Sequence, residues 1–281
     1  MSCKSTLLGA SHFLQLSRLN HLVTCICFWV CLYSDITIYL FKWSRTPVKF
    51  SSDSAVRTTG YFGDLRKMAP VYKVHYFDIH GRAEPIRLLL TYGNLNFEDK
   101  RYSQEEWAKF KPSTPLGQMP CLEVDGKLIN QSTPICRYLG KVVGLGGKDN
   151  WEDLLIDVAV ENLGDLHKKI MEMAFEQDAG KKKSMEEDLV KKDLPFFLEK
   201  FEETAKKNGG YFALNRLSWA DIMFTCAYET YKNVISTDVW PKYPNLLKVK
   251  DNVLKVQSLQ DWIKKRPANK MFSKFDLKQE L

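Results

Sequence analysis

A tyrosine lies within the short apolar run Val74-His75-Tyr76-Phe77, and an arginine stands six residues later, just before an apolar stretch opened by Pro85. A phenol that donates a hydrogen bond to an anionic atom stabilises the charged form and lowers the pKa of the conjugate acid. Arg82 adds positive charge nearby, where a cation opposes the dipole of the helix it precedes, so its placement points to a purpose other than helix stability. A second set lies downstream: Met119-Pro120 just before an apolar run, and Gln131-Ser132 where the next helix begins. A helix N-terminus offers free N–H groups and partial positive charge to a carboxylate. Each feature also has an ordinary reading: Tyr76 as core packing with a surface hydroxyl, Pro120 as the first residue of a strand, Ser132 as an N-cap.

Several other chemistries find no support. Of seven cysteines, Cys3, Cys25, Cys27 and Cys31 crowd the first 31 residues, and Cys121, Cys136 and Cys226 are widely spaced with no C-x-x-C among them. Neither a disulfide framework nor a zinc site is implied, a reducing compartment fits, and thiol–disulfide exchange lacks a cysteine near Tyr76 to Arg82. Gly144-Leu145-Gly146-Gly147-Lys148 is not a phosphate loop, because Asp149 follows the lysine and the first glycine is missing at the required spacing. The net charge is +7, but eight of the 41 basic and only three of the 34 acidic residues precede Pro70, leaving 33 against 31 for the rest. Phosphate backbones need clustered positive charge, so the nearly neutral main body speaks against nucleic acid as a partner.

The elements that must position these residues follow from local patterns. A chain of 281 residues, 44% hydrophobic and 27% charged, suits two ordinary globular domains. From Val71 the pattern predicts a strand to Phe77, a helix over 82–92 stopped by Gly93, a strand over 97–102, and a short helix or turn over 103–110. Pro120 to Val124 and Lys127 to Ile129 flank Asp125-Gly126, a strong hairpin signal. A helix from Ser132 to about Val143 closes a βαβαββα unit over 70–147, ended by a glycine-rich linker. The remainder, 148–281, reads as all helical. Helices are expected over 151–175, with Leu154, Leu155, Val158, Leu163 and Leu166 at helical period, and over 184–207 with a bend at Pro195. Others are expected over 222–234 behind Ser218 and Asp221, over 246–256, and over 259–265. Lys181-Lys182-Lys183 is expected as a solvated loop between helices.

Residues 1–69 stand outside this organisation. Residues 22–41 are long and apolar enough for a membrane helix, with Asp35 as the weak point. Lys42, Arg45 and Lys49 follow, which would leave the main body on the cytosolic side. The competing expectation is a disordered or non-native extension ahead of a start at Met68-Ala69-Pro70, with a cytoplasmic protein and no membrane contact.

The combination of Tyr76, Gly81-Arg82-Ala83-Glu84, Gly117-Gln118-Met119-Pro120, Leu122-Glu123-Val124-Asp125-Gly126 and Gln131-Ser132 resembles the glutathione S-transferases, most closely the sigma class with its prostaglandin D synthases and lens S-crystallins. The likeness runs from about Val71 to Pro267. It implies a thioredoxin-like α/β domain that binds glutathione, followed by an all-helical domain lining the electrophile site. A free thiol ionises near pH 8.5, and lowering that by two units requires about 2.7 kcal/mol of preferential stabilisation of the thiolate. The resemblance gives that task to Tyr76, with Arg82 supporting the electrostatics near the sulfur.

By the same resemblance the Met119–Pro120 bond is cis, so that Gln118-Met119 presents backbone to the cysteinyl part of glutathione. Gln131 and Ser132 receive the γ-glutamyl carboxylate, Trp107 and Lys111 contact the glycyl end, and Asp165 reaches the γ-glutamyl amine of a neighbouring subunit, which requires a homodimer. The ordinary readings of Trp107, Lys111 and Asp165 are a surface aromatic, a solvated lysine and an exposed helical acid. An acidic cluster that serves magnesium in the related synthase reads Glu161, Gly164 and Asp165 here, one carboxylate short, so no metal is expected. The electrophile pocket carries His167, Lys168 and Glu172 in place of a set that includes a tryptophan, which leaves prostaglandin specificity without support. The expected function is conjugation of glutathione to hydrophobic electrophiles, with peroxidase or isomerase activity on lipid-derived substrates as extensions of it. The alternative is a non-catalytic, crystallin-like or ligand-carrier protein on the same fold.

Overall fold

The computed structural model describes residues 70–272 and 274–281. The 1–69 extension and its apolar segment 22–41 lie outside the described residues. Among those described, no helix is long and apolar enough to cross a membrane.

Four strands form one mixed sheet in the order β2-β1-β3-β4: β1 Tyr72–Phe77, β2 Phe97–Tyr102, β3 Cys121–Val124 and β4 Lys127–Asn130. β1 runs parallel to β2 and antiparallel to β3, and β3 pairs antiparallel with β4. The β3–β4 turn is made by Asp125 and Gly126, both at positive φ (50° and 80°), as a two-residue hairpin matched to strand twist requires.

A 3-10 turn over Gly81–Ala83 leads into α1, Glu84–Tyr92, so Arg82 precedes the α-helix instead of lying within it. Proline at the second position suits the first turn, where its missing N–H costs nothing, and Gly93 ends the helix. Glu84 to Leu90 are all buried, with later helices packed against α1. α2, Gln104–Phe110, is a true helix, set by a reciprocal capping box in which Ser103 accepts from the Glu106 N–H while Glu106 accepts from the Ser103 N–H. α3 spans Ser132–Val142.

The helical half begins with α4, Asn150–Ala174, capped by Asp149. Next come α5, Ala179–Asp188, and α6, Leu194–Lys207, joined by a π-helical stretch over Leu189–Asp193. Two expectations are corrected here. Lys181-Lys182-Lys183 is not a loop but the first turns of α5, because Asp178 accepts from the Lys181 N–H and starts the helix early. The bend expected at Pro195 is absorbed in the π stretch ahead of it, where the Leu194 N–H reaches back five residues to Leu189 O.

α7, Trp219–Val234, starts at a buried capping box: Asp221 accepts from the Ser218 N–H and hydroxyl, each at 2.8 Å, and from the Phe212 N–H at 2.8 Å. α8, Pro244–Leu254, and α9, Gln257–Lys265, complete the set. α1 packs against α3, α7 and α9, and a single apolar core runs from Val74 and Leu122 of the sheet to Phe224, Tyr231 and Leu259 of the helices.

The helical-period residues of α4 divide between two faces. Leu154, Leu155 and Val158 are exposed, together with Trp151, while Ile156, Val160, Leu163 and Leu166 face inward.

Candidate active site at the end of the sheet

Strand register alone gathers most of the residues singled out above. His75 pairs with Cys121 and Cys121 with Asn130, so one step further along the sheet Tyr76, Pro120 and Gln131 stand side by side at the same end. The parallel pairing of Phe77 with Tyr102 brings the start of α2 there as well.

Tyr76 is buried, and its hydroxyl accepts from the Arg82 N–H at 3.4 Å. That bond occupies a lone pair and leaves the phenolic hydrogen free to donate elsewhere. Burial pushes the Tyr76 pKa up by more than the Arg82 N–H and the charges of Arg82 and Arg87 pull it down, so at neutral pH the group is a protonated donor. Gly81 makes room for it. At φ +45°, a Cβ on this residue would lie 2.8 Å from the tyrosine hydroxyl oxygen and 2.9 Å from Cε1, so any side chain would displace the phenol.

α2 is held to the sheet by an aromatic stack in which the Phe110 ring lies 5.0 Å from that of His75 and 4.8 Å from that of Tyr102. This seats Trp107 edge-on to Phe77 at 5.9 Å, partly exposed at the sheet end. Lys111 follows α2 directly and passes close to Gly117, whose Cβ would meet Lys111 Cε at 3.2 Å, next to exposed Gln118. The Met119–Pro120 peptide is cis.

Gln131 takes φ +76°, a region non-glycine residues rarely enter. It, not Ser132, is the N-cap of α3, which corrects the capping role open to Ser132. No side chain caps this helix, so its first N–H groups face outward without a local side-chain partner. These elements form a shelf with a phenolic donor, a helix N-terminus and a lysine, suited to a small peptide-like anion.

Asp165 is exposed on α4, in line with the outward stripe of Trp151, Leu154 and Val158, and no contact among the described residues joins it to this shelf. Glu161 and Gly164 are also exposed. His167 lies deeper on α4. Burial and the nearby Arg82 charge hold its pKa down at about 4, so the ring is neutral at physiological pH.

The sequence reading passed over the scaffold beneath the site. Arg87, taken as part of an apolar run, is completely buried. It donates to Asp99 at 2.8 Å, to Glu84 at 3.1 Å, and to the carbonyls of Ile79 and His80, bracing the loop between Tyr76 and Gly81. The other Glu84 oxygen accepts from Trp262 and Arg266, each at 2.9 Å. Burial alone would push the Glu84 pKa up, but the Arg266 and Arg87 guanidinium groups override it and hold the carboxyl well below the usual range. Arg266 also donates to Glu229 and Asp276. His80, Glu229 and Asp276 bring ligand-type atoms within 4.8 Å of one another, but the cation between these carboxylates is the Arg266 guanidinium. A charged residue inside a helical apolar run was the available signal for Arg87; nothing local flagged Arg266.

Two family models match the chain: Glutathione S-transferase, N-terminal domain, over residues 72–141, and Glutathione S-transferase, C-terminal domain, over 164–266. A glutathione S-transferase of Anopheles gambiae is 41% identical over 202 residues, covering 72% of this chain and all of the relative. Among solved structures, the prostaglandin synthase D of Nilaparvata lugens superposes with a TM-score of 0.67 at 43% identity, over 71% of this chain and all of that one. The Fasciola hepatica sigma class transferase gives 0.65 at 27% identity, over 72% and 99%.

Proposed function

The chain belongs to the glutathione S-transferase family, and from that premise we propose that Tyr76 donates its hydroxyl hydrogen to the sulfur of bound glutathione and keeps it a thiolate for attack on hydrophobic electrophiles. The carrying observation is the Tyr76 hydroxyl, kept protonated by burial, oriented by the Arg82 N–H and flanked by a glycine that cannot obstruct it. Lowering the thiol pKa by one to two units takes about 1.4 to 2.7 kcal/mol, within the range of a charge-assisted hydrogen bond in a partly dry site. No covalent bond to the enzyme is required: the thiolate attacks and its electron pair forms the new C–S bond while the electrophile's leaving group departs with the pair of the broken bond, or a C=C pair shifts off the attacked carbon and is later protonated from solvent; the thiol proton has already left to solvent.

In this reading the uncapped N-terminus of α3, with Gln131 and Ser132, receives the γ-glutamyl carboxylate. Extended backbone at Gln118-Met119 pairs with the cysteinyl unit, and Trp107 and Lys111 meet the glycyl end. Asp165 serves a neighbouring subunit. The outward apolar stripe of α4, joined by exposed Tyr138 and Val142 on α3, supports a homodimer, because an unpartnered surface of this kind is costly in water. The scheme draws on glutathione as co-substrate and on no metal, and places the enzyme in the cytoplasm. The relatives carry transferase and synthase names, which support conjugation with an isomerase-type extension to lipid substrates. They lend nothing to a crystallin-like role.

The test is Tyr76→Phe, read by the ultraviolet absorbance of bound glutathione thiolate against pH. The thiol pKa should rise by one to two units and turnover fall roughly 10- to 100-fold. An unchanged titration would remove Tyr76 from the mechanism.

A further inference from the structure

Successive residues of a strand point to opposite faces of its sheet, so His75 lies on the face away from Tyr76. It is buried, with Nδ1 2.9 Å from the Tyr102 hydroxyl and Nε2 3.3 Å from a Glu123 carboxylate oxygen. A carboxylate only accepts, so the Nε2 hydrogen goes to Glu123, and Nδ1 of the neutral ring accepts from the Tyr102 O–H. Burial pushes the His75 pKa below the usual histidine range by more than Glu123 pulls it up, so this neutral ring is the form present at physiological pH. The consequence falls on α2. None of its seven residues is buried, so few contacts hold it to the sheet. Tyr102 is the last residue of β2, and Ser103, the next, caps the helix. At the other end the Phe110 ring stacks on His75 at 5.0 Å and on Tyr102 at 4.8 Å, with interplanar angles of 18° and 10°. The same two side chains therefore anchor α2 at its start and at its finish. Trp107 packs edge-on to Phe110 at 6.4 Å, and Lys111 follows Phe110 directly.

We propose that His75 is a positioning residue: by fixing Tyr102 it sets the seat of α2, and with it the place of Trp107 and Lys111 against the glycyl end of glutathione, without touching the substrate itself. This rests on the reading above that Trp107 and Lys111 meet that end. The role is one of binding, not of chemistry. Tyr76 takes no part in the Tyr102–His75–Glu123 series, so loosening α2 leaves the phenol where it is. The glycyl carboxylate keeps its charge throughout the reaction, and a weaker hold on it costs the ground state and the transition state alike. Such uniform binding, when lost, raises KM for glutathione at unchanged kcat. γ-Glutamylcysteine carries the same thiol and no glycyl unit, so it gains nothing from the seat of α2.

The experiment measures kcat and KM for glutathione and for γ-glutamylcysteine, at saturating aryl halide, in the full-length protein and in His75→Phe, Tyr102→Phe and Lys111→Gln. Phenylalanine at 75 keeps a stacking ring and removes both nitrogens. Phenylalanine at 102 removes only the hydroxyl and covers the case in which His75→Phe fails to fold. The KM advantage of glutathione over γ-glutamylcysteine should shrink roughly 3- to 10-fold in both variants, with kcat unchanged. A merely structural loosening would instead burden the two thiols equally. Equal rises in KM for both, a fall in kcat with KM unmoved, or no change in the variants that fold would overturn the assignment. Lys111→Gln tells this failure from that of the underlying reading. If it shrinks the advantage while the other two variants do not, only the role of His75 is rejected; if it leaves the advantage intact, the glycyl assignment itself falls and takes this inference with it.

Discussion

Glu84 and Arg266, 182 residues apart in the chain, share a 2.9 Å hydrogen bond with both side chains sealed from water. It joins the helix that follows the Tyr76 loop to the end of the last helix, and through Arg266 to Glu229 of α7. A buried ion pair need not outperform an apolar pair of equal volume, but removing one partner strands the other.

Arg266→Met is therefore expected to cost about 3 to 5 kcal/mol, because Glu84 keeps Arg87 and Trp262 while Glu229 loses the Arg266 guanidinium. Urea unfolding measures it. A loss below about 1 kcal/mol would match a solvated surface pair and contradict the sealed geometry.

Gly81→Ala tests the space beside the phenol. The new Cβ would fall 2.8 Å from the Tyr76 hydroxyl, on a backbone whose φ of +45° already disfavours a side chain. Turnover should drop about 10- to 100-fold through displacement of the donor, with a stability loss of about 1 kcal/mol. Thiolate absorbance separates the two effects, since a folded variant with a normal thiol titration would show that the contact is unimportant.

The apolar stripe of α4 should govern assembly. Val158→Glu and Leu154→Arg each place a charge on the exposed face that the homodimer reading buries, which should shift sedimentation toward the monomer while leaving unfolding within about 0.5 kcal/mol. If the unsubstituted protein sediments as a monomer, the cross-subunit role of Asp165 goes with the dimer.

His167 also predicts a pH dependence of stability. Its ring takes up a proton near pH 6.5 when unfolded and only near 4 when folded, because burial and then Arg82 oppose the charge. Between those values the unfolded chain binds more protons, so stability is lost as pH falls through this window, by up to about 3 kcal/mol near pH 4. His167→Met should flatten that part of the profile in urea titrations from pH 7 to 4.5. An equally steep profile in the variant would assign the loss to other groups.

By itself the sequence determined most of the elements, because their causes are local: the Ser218 capping box, Asp125-Gly126 in the hairpin, Pro85 and Gly93 bounding α1. Residues 103–110 stay open between helix and turn in the sequence, and the Ser103–Glu106 box formed in the structure decides for the helix. It also singled out Tyr76, Met119-Pro120 and Gln131-Ser132, whose meeting at one sheet end follows from strand order and register. The lysine run was misplaced because lysines are at home both in solvent and in a helix, and only the Asp178 cap decided between them. Tertiary structure alone showed which side of α4 meets the core, since a helical period of apolar residues does not distinguish a face turned inward from one turned outward. The same holds for Arg87, Arg266 and His167. Whether a titratable side chain is sealed, and what charge it meets there, depends on residues far away in the chain that only the closed fold brings near.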